Sequence, residues 1–343
     1  MNNKIKVLVT GGTGYIGSHT VVELIKAGYE PIIIDNLSNS SAKIIDQIEK
    51  ITGVIPVFHN LDLCDAQAVN EFFQNHPLNN IIHFAAYKAV GESVDEPLKY
   101  YRNNLYSLLN LLNACAAREV NLVFSSSCTV YGQPKHLPVT EDAPVQVAES
   151  PYGNTKQVAE EILRDTAKVS KNFNIISLRY FNPVGAHASA LIGELPIGIP
   201  QNLVPYITQT AIGKRESLTV YGDDYHTPDG SCIRDYIHVV DLAKAHVAAL
   251  GVMERKESFN YEVLNIGTGK GSSVLDVIRS FEEVSGEKLN YQIGPRRPGD
   301  IEQVWGDVRK AEKILGWKAE LDIDEMMRSA WAWEKYVAEH PIL

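Results

Sequence analysis

The chain has 343 residues, 45% of them hydrophobic and 22% charged, a balance typical of a globular enzyme and not of a disordered chain. Its formal net charge of −10 argues against general binding to nucleic acid or anionic membranes, so a phosphate-bearing ligand requires a few local cations. At about 150 residues per domain, this length predicts two domains.

Cysteine and histidine usage bears on metals and location. The four cysteines show no CxxC spacing and the ten histidines no HExxH motif, so we expect free thiols in a reducing cytoplasm and no metal site. No apolar run reaches the roughly 18 residues of a membrane span, and the first strand begins within a few residues of Met1. These features predict neither a signal peptide nor a transmembrane helix.

The first element is an apolar strand that runs into a glycine turn and then a helix. The strand covers Val7–Val9, the glycines are Gly11, Gly14 and Gly17, and the helix is predicted over 18–27. This spacing is typical of a dinucleotide site, in which phosphates meet free N–H groups at the helix N-terminus. A purely structural glycine turn is the alternative.

An acidic residue follows at the end of the second strand. That strand, Ile32–Ile34, leads into Asp35, whose carboxylate can bond the adenosine ribose hydroxyls and repel a 2′-phosphate. Neither Arg nor Lys occurs between Asp35 and Ala42. The pattern therefore favours the dinucleotide site over a structural turn, and NAD over NADP.

Short apolar runs alternate with longer helical ones as far as about residue 181. This alternation predicts a Rossmann-like, doubly wound parallel sheet over 1–181 in an α/β fold. Residues 182–343 are richer in Gly, Pro and polar loops, and predict a smaller α/β lobe over the carboxyl edge of the sheet, with some later segments returning to the first domain. The remaining predicted strands are 54–58, 81–84, 122–126 and 175–181, and the helices are 97–118 and 158–169.

The segment SPYGNTK at 150–156 contains the candidate catalytic pair. Ser150 suits a helix N-cap and Pro151 the first helical position, so Tyr152 and Lys156 lie one turn apart on one face. A phenol acting as a base near neutrality needs its pKa lowered by roughly three units, about 4 kcal/mol. We expect Lys156 and the positive nicotinamide ring to supply this jointly, while Ser127 offers a hydroxyl to the reacting oxygen. The alternative is a solvated surface pair.

Together these residues resemble the extended short-chain dehydrogenase/reductases, and within them the UDP-glucose 4-epimerase family. The resemblance covers essentially the whole chain. The matching segments are GGTGYIGSHT at 11–20, DN at 35–36, HFAAYKAVGESV at 83–94, SSSCTVYG at 125–132, SPYGNTK at 150–156, RYFNPVGAH at 179–187, RDYIHVVDLA at 234–243 and PRRPGD at 295–300.

The resemblance implies a set of binding residues. Besides the three glycines, the family's cofactor contacts correspond to Tyr15, Ile16, Asp35, Asn36, Asp62, Leu63, Phe84, Lys88, Asn103, Tyr152, Lys156 and Phe181. Its substrate contacts correspond to Ser127, Tyr152, Asn182, Asn202, Leu203, Arg234, Arg297 and Asp300. The cations that the net charge requires are then Arg234 and Arg297, whose forked guanidinium groups match phosphate oxygens.

The implied activity is NAD-dependent 4-epimerisation of UDP-glucose and UDP-galactose through a transient 4-keto sugar, with NAD tightly bound. The family also implies a homodimer built from two helices per subunit, here 97–118 and 152–169. Tyr100, Leu108 and Leu111 fit either that interface or the core. A residue four positions past the Asp of the PRRPGD loop walls the sugar pocket in this family, and here it is Val304. Its small side chain predicts activity on N-acetylated UDP-hexoses as well.

Three other readings remain open. A nucleotide-sugar 4,6-dehydratase shares the fold and the Tyr/Lys pair but needs a further acid and base. In such enzymes a Thr-Asp-Glu triplet occupies the stretch that is Ser127, Cys128 and Thr129 here, where no carboxylate occurs. A simple alcohol dehydrogenase would release reduced cofactor, and a non-catalytic NAD-sensing protein would not need Ser127, Tyr152 and Lys156 together.

Overall fold

The computed structural model describes residues 4–255, 259–297 and 300–342. Two residues of the PRRPGD segment, Pro298 and Gly299, lie outside this range. The strands are β1 (Lys6–Thr10), β2 (Glu30–Asp35), β3 (Val57–Asn60), β4 (Asn80–His83), β5 (Val120–Ser127), β6 (Phe173–Tyr180), β7 (Asn182–Val184), β8 (Leu218–Tyr221), β9 (Ile233–Arg234), β10 (Tyr236–His238), β11 (Tyr261–Ile266), β12 (Ser272–Ser273), β13 (Tyr291–Gly294) and β14 (Gln303–Val304). The helices are α1 (Tyr15–Lys26), α2 (Lys43–Thr52), α3 (Ala66–Asn75), α4 (Val90–Asp95), α5 (Pro97–Cys115), α6 (Pro151–Val169), α7 (Leu203–Ala211), α8 (Val239–Glu254), α9 (Val274–Ser285), α10 (Arg309–Leu315) and α11 (Ile323–Glu339).

Seven parallel strands form the central sheet, in the order β11-β6-β5-β4-β1-β2-β3. The predicted Rossmann-like α/β fold is confirmed. The order reverses at β1, which pairs with β2 on one side and β4 on the other. Ligands of open α/β sheets bind in the crevice at the carboxyl ends of strands beside such a reversal.

Helices cover both faces of this sheet, and alternate side chains of each strand enter two separate cores. Val7 and Val9 of β1 pack with α1, α2 and α8, while Leu8 between them packs with α3, α5 and α6. All three side chains are fully buried. Burying one such aliphatic side chain contributes about 1.5–3 kcal/mol, so the two cores together fix the strand register.

Most predicted elements agree with the structure to within a few residues. The helix predicted over 158–169 begins seven residues earlier, at Pro151, and one predicted strand is partly wrong. The strand predicted over 54–58 is wrong in its first half, because β3 begins only at Val57. Val54 and Ile55 are exposed ahead of Pro56. A proline lacks the N–H that a strand interior needs, so the apolar run is split there. The first helix begins at Tyr15, three residues earlier than predicted.

After β6 the chain builds a smaller set of sheets beside the carboxyl edge of the large one. β7 pairs with β10, β9 lies between β12 and β14, and β8 pairs with β13. Helices α7, α9 and α11 enclose a third hydrophobic cluster, which includes Phe281 and Trp331. The chain also returns to the first sheet, because β11 pairs with β6 along its whole length. Among the described residues, no helix is both long and apolar enough to cross a lipid bilayer.

Candidate active site

A cleft of about 1240 Å³ opens at the carboxyl edge of the large sheet, between the loops that follow β1–β4 and segments of the C-terminal half. Its lining brings together residues that lie far apart in sequence, as an α/β crevice should. The predicted site residues on its wall are Gly11, Gly14, Tyr15, Ile16, Gly17, Asp35, Asn36, Asp62, Leu63, Phe84, Lys88, Asn103, Tyr152, Lys156, Asn182, Asn202, Leu203, Arg234, Arg297 and Asp300.

The glycine turn has the backbone geometry that a bound pyrophosphate requires. Gly11 has a φ of +70°, and a Cβ at Gly17 would lie 2.1 Å from the Gly11 carbonyl oxygen. Gly14 is the N-cap of α1, and its lack of a side chain leaves the first-turn N–H groups uncapped at the cleft. Uncapped N–H groups and the helix dipole together favour an anion at this point.

Asp35 closes the other side of the turn. Its carboxylate accepts hydrogen bonds from the Leu37 N–H at 2.9 Å, the Ser40 hydroxyl at 3.1 Å and the Thr13 N–H at 3.2 Å. These bonds fix the carboxylate at the end of β2, directly beside the glycine turn, while it still lines the cleft. A fixed carboxylate in this place fits the ribose of an adenosine better than a 2′-phosphate.

Tyr152 and Lys156 are buried on the inner face of α6, so the alternative of a solvated surface pair is wrong. Ser150 caps the helix by accepting from the Gly153 N–H at 3.1 Å, and Pro151 occupies the first turn, as predicted. Lys156 Nζ donates to the Ser125 carbonyl oxygen at 2.7 Å and lies 6.0 Å from the centre of the Tyr152 ring.

The burial of this pair has opposite consequences for its two members. Burial raises the pKa of the Tyr152 phenol well above 10, and Tyr180 adds to this effect, while a hydrogen bond with Ser127 opposes it. Burial lowers the pKa of Lys156 to about 8, with Glu160 opposing the shift. In the protein alone the phenol is therefore protonated, and a phenolate at Tyr152 depends on added positive charge beside the ring.

A buried ion pair lies behind Lys156, and the sequence analysis missed it. Glu160, one turn further along α6, accepts from Arg179 Nη2 at 2.5 Å and from Ser126 Oγ at 2.6 Å. Its spacing of four from Lys156 was the available signal, but the Arg179 partner comes from a different element. Tyr180 was also missed: it lines the cleft, and its hydroxyl lies 2.9 Å from Ser125 Oγ.

The two predicted phosphate cations lie on the C-terminal side of the cleft. Arg234 ends β9, and its Nη1 donates to the Ile233 carbonyl oxygen at 2.9 Å. Arg297 pairs with Asp300 at 2.8 Å, and its guanidinium lies 5.5 Å from the centre of the Tyr221 ring. Both arginines line the same cleft as the glycine turn, and their guanidinium groups are the kind of donor that matches phosphate oxygens.

Three predicted residues do not line the cleft. Ser127 lies just behind it, capping the short 3₁₀ turn at Cys128–Tyr131 by accepting from the Thr129 N–H. Phe181 and Val304 are packed together in a small hydrophobic cluster with Tyr131. Val304 thus lies in the layer behind the wall, and Ile301, which packs against the same cluster, lines the cleft itself.

Known proteins resemble this chain over nearly its whole length. A family model described as GDP-mannose 4,6 dehydratase matches residues 8–330. A UDP-glucose 4-epimerase of Dictyostelium discoideum is 52% identical over 330 residues, which are 96% of this chain and 95% of that protein. The chain belongs to the family that this model describes, and within it to the UDP-glucose 4-epimerases.

Solved UDP-glucose 4-epimerase structures agree with this placement. The enzyme from Stenotrophomonas maltophila, solved with bound NAD and formylated UDP-arabinopyranose, superposes with a TM-score of 0.94 at 47% identity, covering 98% of this chain and 99% of that one. The Bifidobacterium longum enzyme, in complex with NAD+ and UDP, superposes with a TM-score of 0.92 at 49% identity, covering 98% and 99%.

Proposed function

We propose that this protein is an NAD-dependent isomerase that interconverts UDP-glucose and UDP-galactose by inverting C4 of the sugar. The observation that carries the proposal is the buried Tyr152–Lys156 pair, which shares one cleft with a dinucleotide-type glycine turn. Membership of the UDP-glucose 4-epimerase family selects this reaction among those that such a pair can perform.

The glycine turn and the ends of β1–β4 fit a tightly bound NAD. The first turn of α1 receives the pyrophosphate, and Asp35 receives the adenosine ribose. Asn36, Asp62, Leu63, Phe84 and Asn103 complete this wall. When bound, NAD accepts a hydride from C4 of the sugar and returns it to the opposite face.

Tyr152 is the group that holds the proton of the sugar 4-hydroxyl during the redox step. Its phenolic oxygen accepts that proton and later gives it back, so no acid or base from solvent is required. Lys156 supplies a positive charge on the same face of α6 that favours the phenolate, and Ser127 hydrogen bonds to the phenol from behind. Ser127 acts on the sugar through Tyr152, because its side chain does not line the cleft.

Binding should be strong at the nucleotide end and weak at the sugar end. Arg234, Arg297, Asn182 and Asn202 lie on the C-terminal wall and hold the uridine diphosphate. A sugar that is held loosely can turn over and present its other face, so binding energy placed on the nucleotide serves both half-reactions.

The quaternary state and the location are part of the same proposal. We infer a homodimer built from α5 and α6. The solvent side of α5 carries the exposed apolar residues Leu98, Tyr106 and Leu109. Tyr100, Leu108 and Leu111 are buried within the subunit, so they belong to its core. The cysteine usage of the sequence supports a cytoplasmic location.

The test is turnover without added cofactor. Purified protein is incubated with UDP-galactose carrying deuterium at C4, and we expect UDP-glucose that retains the label. Tyr152→Phe, measured in parallel, should fold normally and lose turnover by roughly 10²–10⁴-fold, because only the proton acceptor is removed. Loss of the label to solvent, or normal turnover in Tyr152→Phe, would contradict the proposal.

A further inference from the structure

Glu194 connects the two walls of the cleft. Its Oε1 accepts from Lys88 Nζ at 2.7 Å and from Asn202 Nδ2 at 2.6 Å. Lys88 follows β4 on the cofactor side, whereas Asn202 precedes α7 on the nucleotide-sugar side. The Glu194 side chain is only 11% exposed. One carboxylate oxygen therefore bonds a group from each half of the proposed site.

The backbone of Glu194 is fixed independently by α11. Trp333 Nε1 donates to the Glu194 carbonyl oxygen at 2.7 Å. The preceding Gly193 packs flat against the same indole, since a Cβ there would lie 2.4 Å from the ring. A bridge between Ala186 and Gly193 holds the segment from its other side. Hydrogen bonds therefore hold both the backbone of Glu194 and its carboxylate.

The Asn202 side chain makes this contact and forms no helix cap. It is the N-cap residue of α7, yet no side-chain capping bond is formed there. Asparagine is among the best N-cap residues because its side-chain oxygen can accept from the first turn. Here the side-chain amide is oriented by its bond to Glu194. Among the hydrogen bonds of the described residues, the Asn202 side chain is therefore held by Glu194 and not by the first turn of α7.

The same bond closes the base of an exposed loop at the mouth of the cleft. The loop covers 195–201, and its apolar residues Ile197 and Ile199 are exposed while also lining the cleft. Because Glu194 and Asn202 flank the loop, their hydrogen bond fixes where the loop leaves and re-enters the wall. Without that bond the loop loses the only side-chain link between its two ends that the described residues show.

We propose that Glu194 is a positioning residue that fixes the separation between the cofactor wall, through Lys88, and the nucleotide-sugar wall, through Asn202. This inference rests on the proposed function. The sugar must meet the nicotinamide at the same distance in two orientations, so the spacing of the walls has to stay constant while the sugar turns. A carboxylate bound to both walls provides that constancy.

The experiment measures the holoenzyme with UDP-galactose. Glu194→Ala should raise KM roughly tenfold, the effect of losing hydrogen bonds to a charged group, and Glu194→Gln should recover part of the loss. The double variant Lys88→Met, Glu194→Ala should have a KM little higher than that of the more severe single variant. The reason is that each substitution removes the same Lys88–Glu194 contact. Glu282→Gln is the matched control, since Glu282 makes a 2.8 Å ion pair with Lys288 outside the cleft and should leave KM unchanged.

The outcomes separate the inference from the proposed function. If the carboxylate instead competes with a phosphate for Lys88, Glu194→Ala will lower KM, which overturns the inference. A KM equal to that of the wild type, or additive effects in the double variant, overturns it as well. A wild-type protein that does not epimerise UDP-galactose contradicts the proposed function before any variant is compared.

Discussion

Lys156 is buried, and its surroundings disfavour the positive charge of its ammonium group. Burial lowers its pKa from 10.5 to about 8, a cost of about 3 kcal/mol for keeping the ammonium charged at neutral pH. Between those two values the native state binds fewer protons than the unfolded state, so this residue's contribution to stability rises with pH across that window. In the proposed mechanism the ammonium offsets this cost by favouring the phenolate form of Tyr152.

Replacing Lys156 tests this dependence. Lys156→Met should require a higher pH for turnover, because the ammonium no longer favours the phenolate. It should also release NAD more readily, because Lys156 lines the proposed cofactor site. In the wild type that ammonium is lost as the pH rises through about 8. The measurements are kcat against pH and the NAD content after gel filtration. Lys168→Met, at the exposed end of α6, is the control, and identical profiles in the two variants would exclude the role.

We propose that Val304 influences which sugars the cleft accepts. Its side chain is 5% exposed and packs one layer behind the cleft wall, beside Ile301. Val304→Tyr should push that wall inward, abolishing activity on UDP-N-acetylgalactosamine while sparing UDP-galactose. Activity on both sugars is assayed, together with Val304→Ile, which adds one methylene and should keep both. An unchanged sugar preference in Val304→Tyr would end this hypothesis.

The sequence could predict the residues that are fixed by local chemistry, and it could not predict their partners. The cap at Ser150, the inward face shared by Tyr152 and Lys156 and the glycine turn all follow from spacing along one element. The Glu160–Arg179 pair joins residues 19 positions apart, and the Glu194–Lys88 pair joins residues 106 positions apart. Such contacts depend on how helices and strands pack, and no local pattern encodes that.

At the scale of elements, the junction of β1 and α1 leaves no room for a side chain at Gly17. A Cβ at Gly17 would lie 2.1 Å from the Gly11 carbonyl oxygen and 2.9 Å from the Gly12 Cα. Both contacts are with backbone, which cannot move without shifting either the strand or the helix. The helix N-terminus and the strand end are therefore held at one fixed spacing.

Gly17→Ala should separate these two elements. We expect loss of bound NAD and a drop of about 1–3 kcal/mol in the free energy of unfolding, because α1 has to move to admit the methyl group. Urea denaturation and NAD content are the measurements. Gly251→Ala in α8 is the control: its Cβ would lie 3.9 Å from the nearest atom, and the change should stabilise by about 0.5–1 kcal/mol. Normal NAD content in Gly17→Ala would contradict the proposed pyrophosphate site at the glycine turn.

Element boundaries show where sequence periodicity fails. The apolar run at 54–58 looks like a continuous strand, yet Pro56 interrupts it and only the part from Val57 onward pairs with β2. The start of the first helix at Tyr15 was missed because its N-cap is a glycine, which carries no side-chain signal for a boundary. For helix α6, periodicity alone gave 158–169 and missed the first seven residues, whereas the serine cap and Pro151 placed its start correctly.

For the molecule as a whole, the proposed homodimer depends on the outer face of α5. Tyr106→Glu combined with Leu109→Glu should convert the dimer into a monomer, because two charges would be buried at the interface. Light scattering coupled to gel filtration measures the mass, and bound NAD reports the fold. Ile55→Glu, at an exposed site before β3, should remain dimeric. A wild-type monomer, or a double variant that stays dimeric, would contradict the proposal.

The late arrival of β11 has a consequence for biosynthesis. β11 covers one side of β6 but is encoded some eighty residues after it, so that side stays unpaired while the intervening chain emerges from the ribosome. At translation rates of roughly 5–20 residues per second this interval lasts several seconds or more. An open strand edge is a template for pairing with other chains. The edge of β6 is therefore open to such pairing in the nascent polypeptide, and once Ile266 is in place β11 takes over as the edge strand of the sheet.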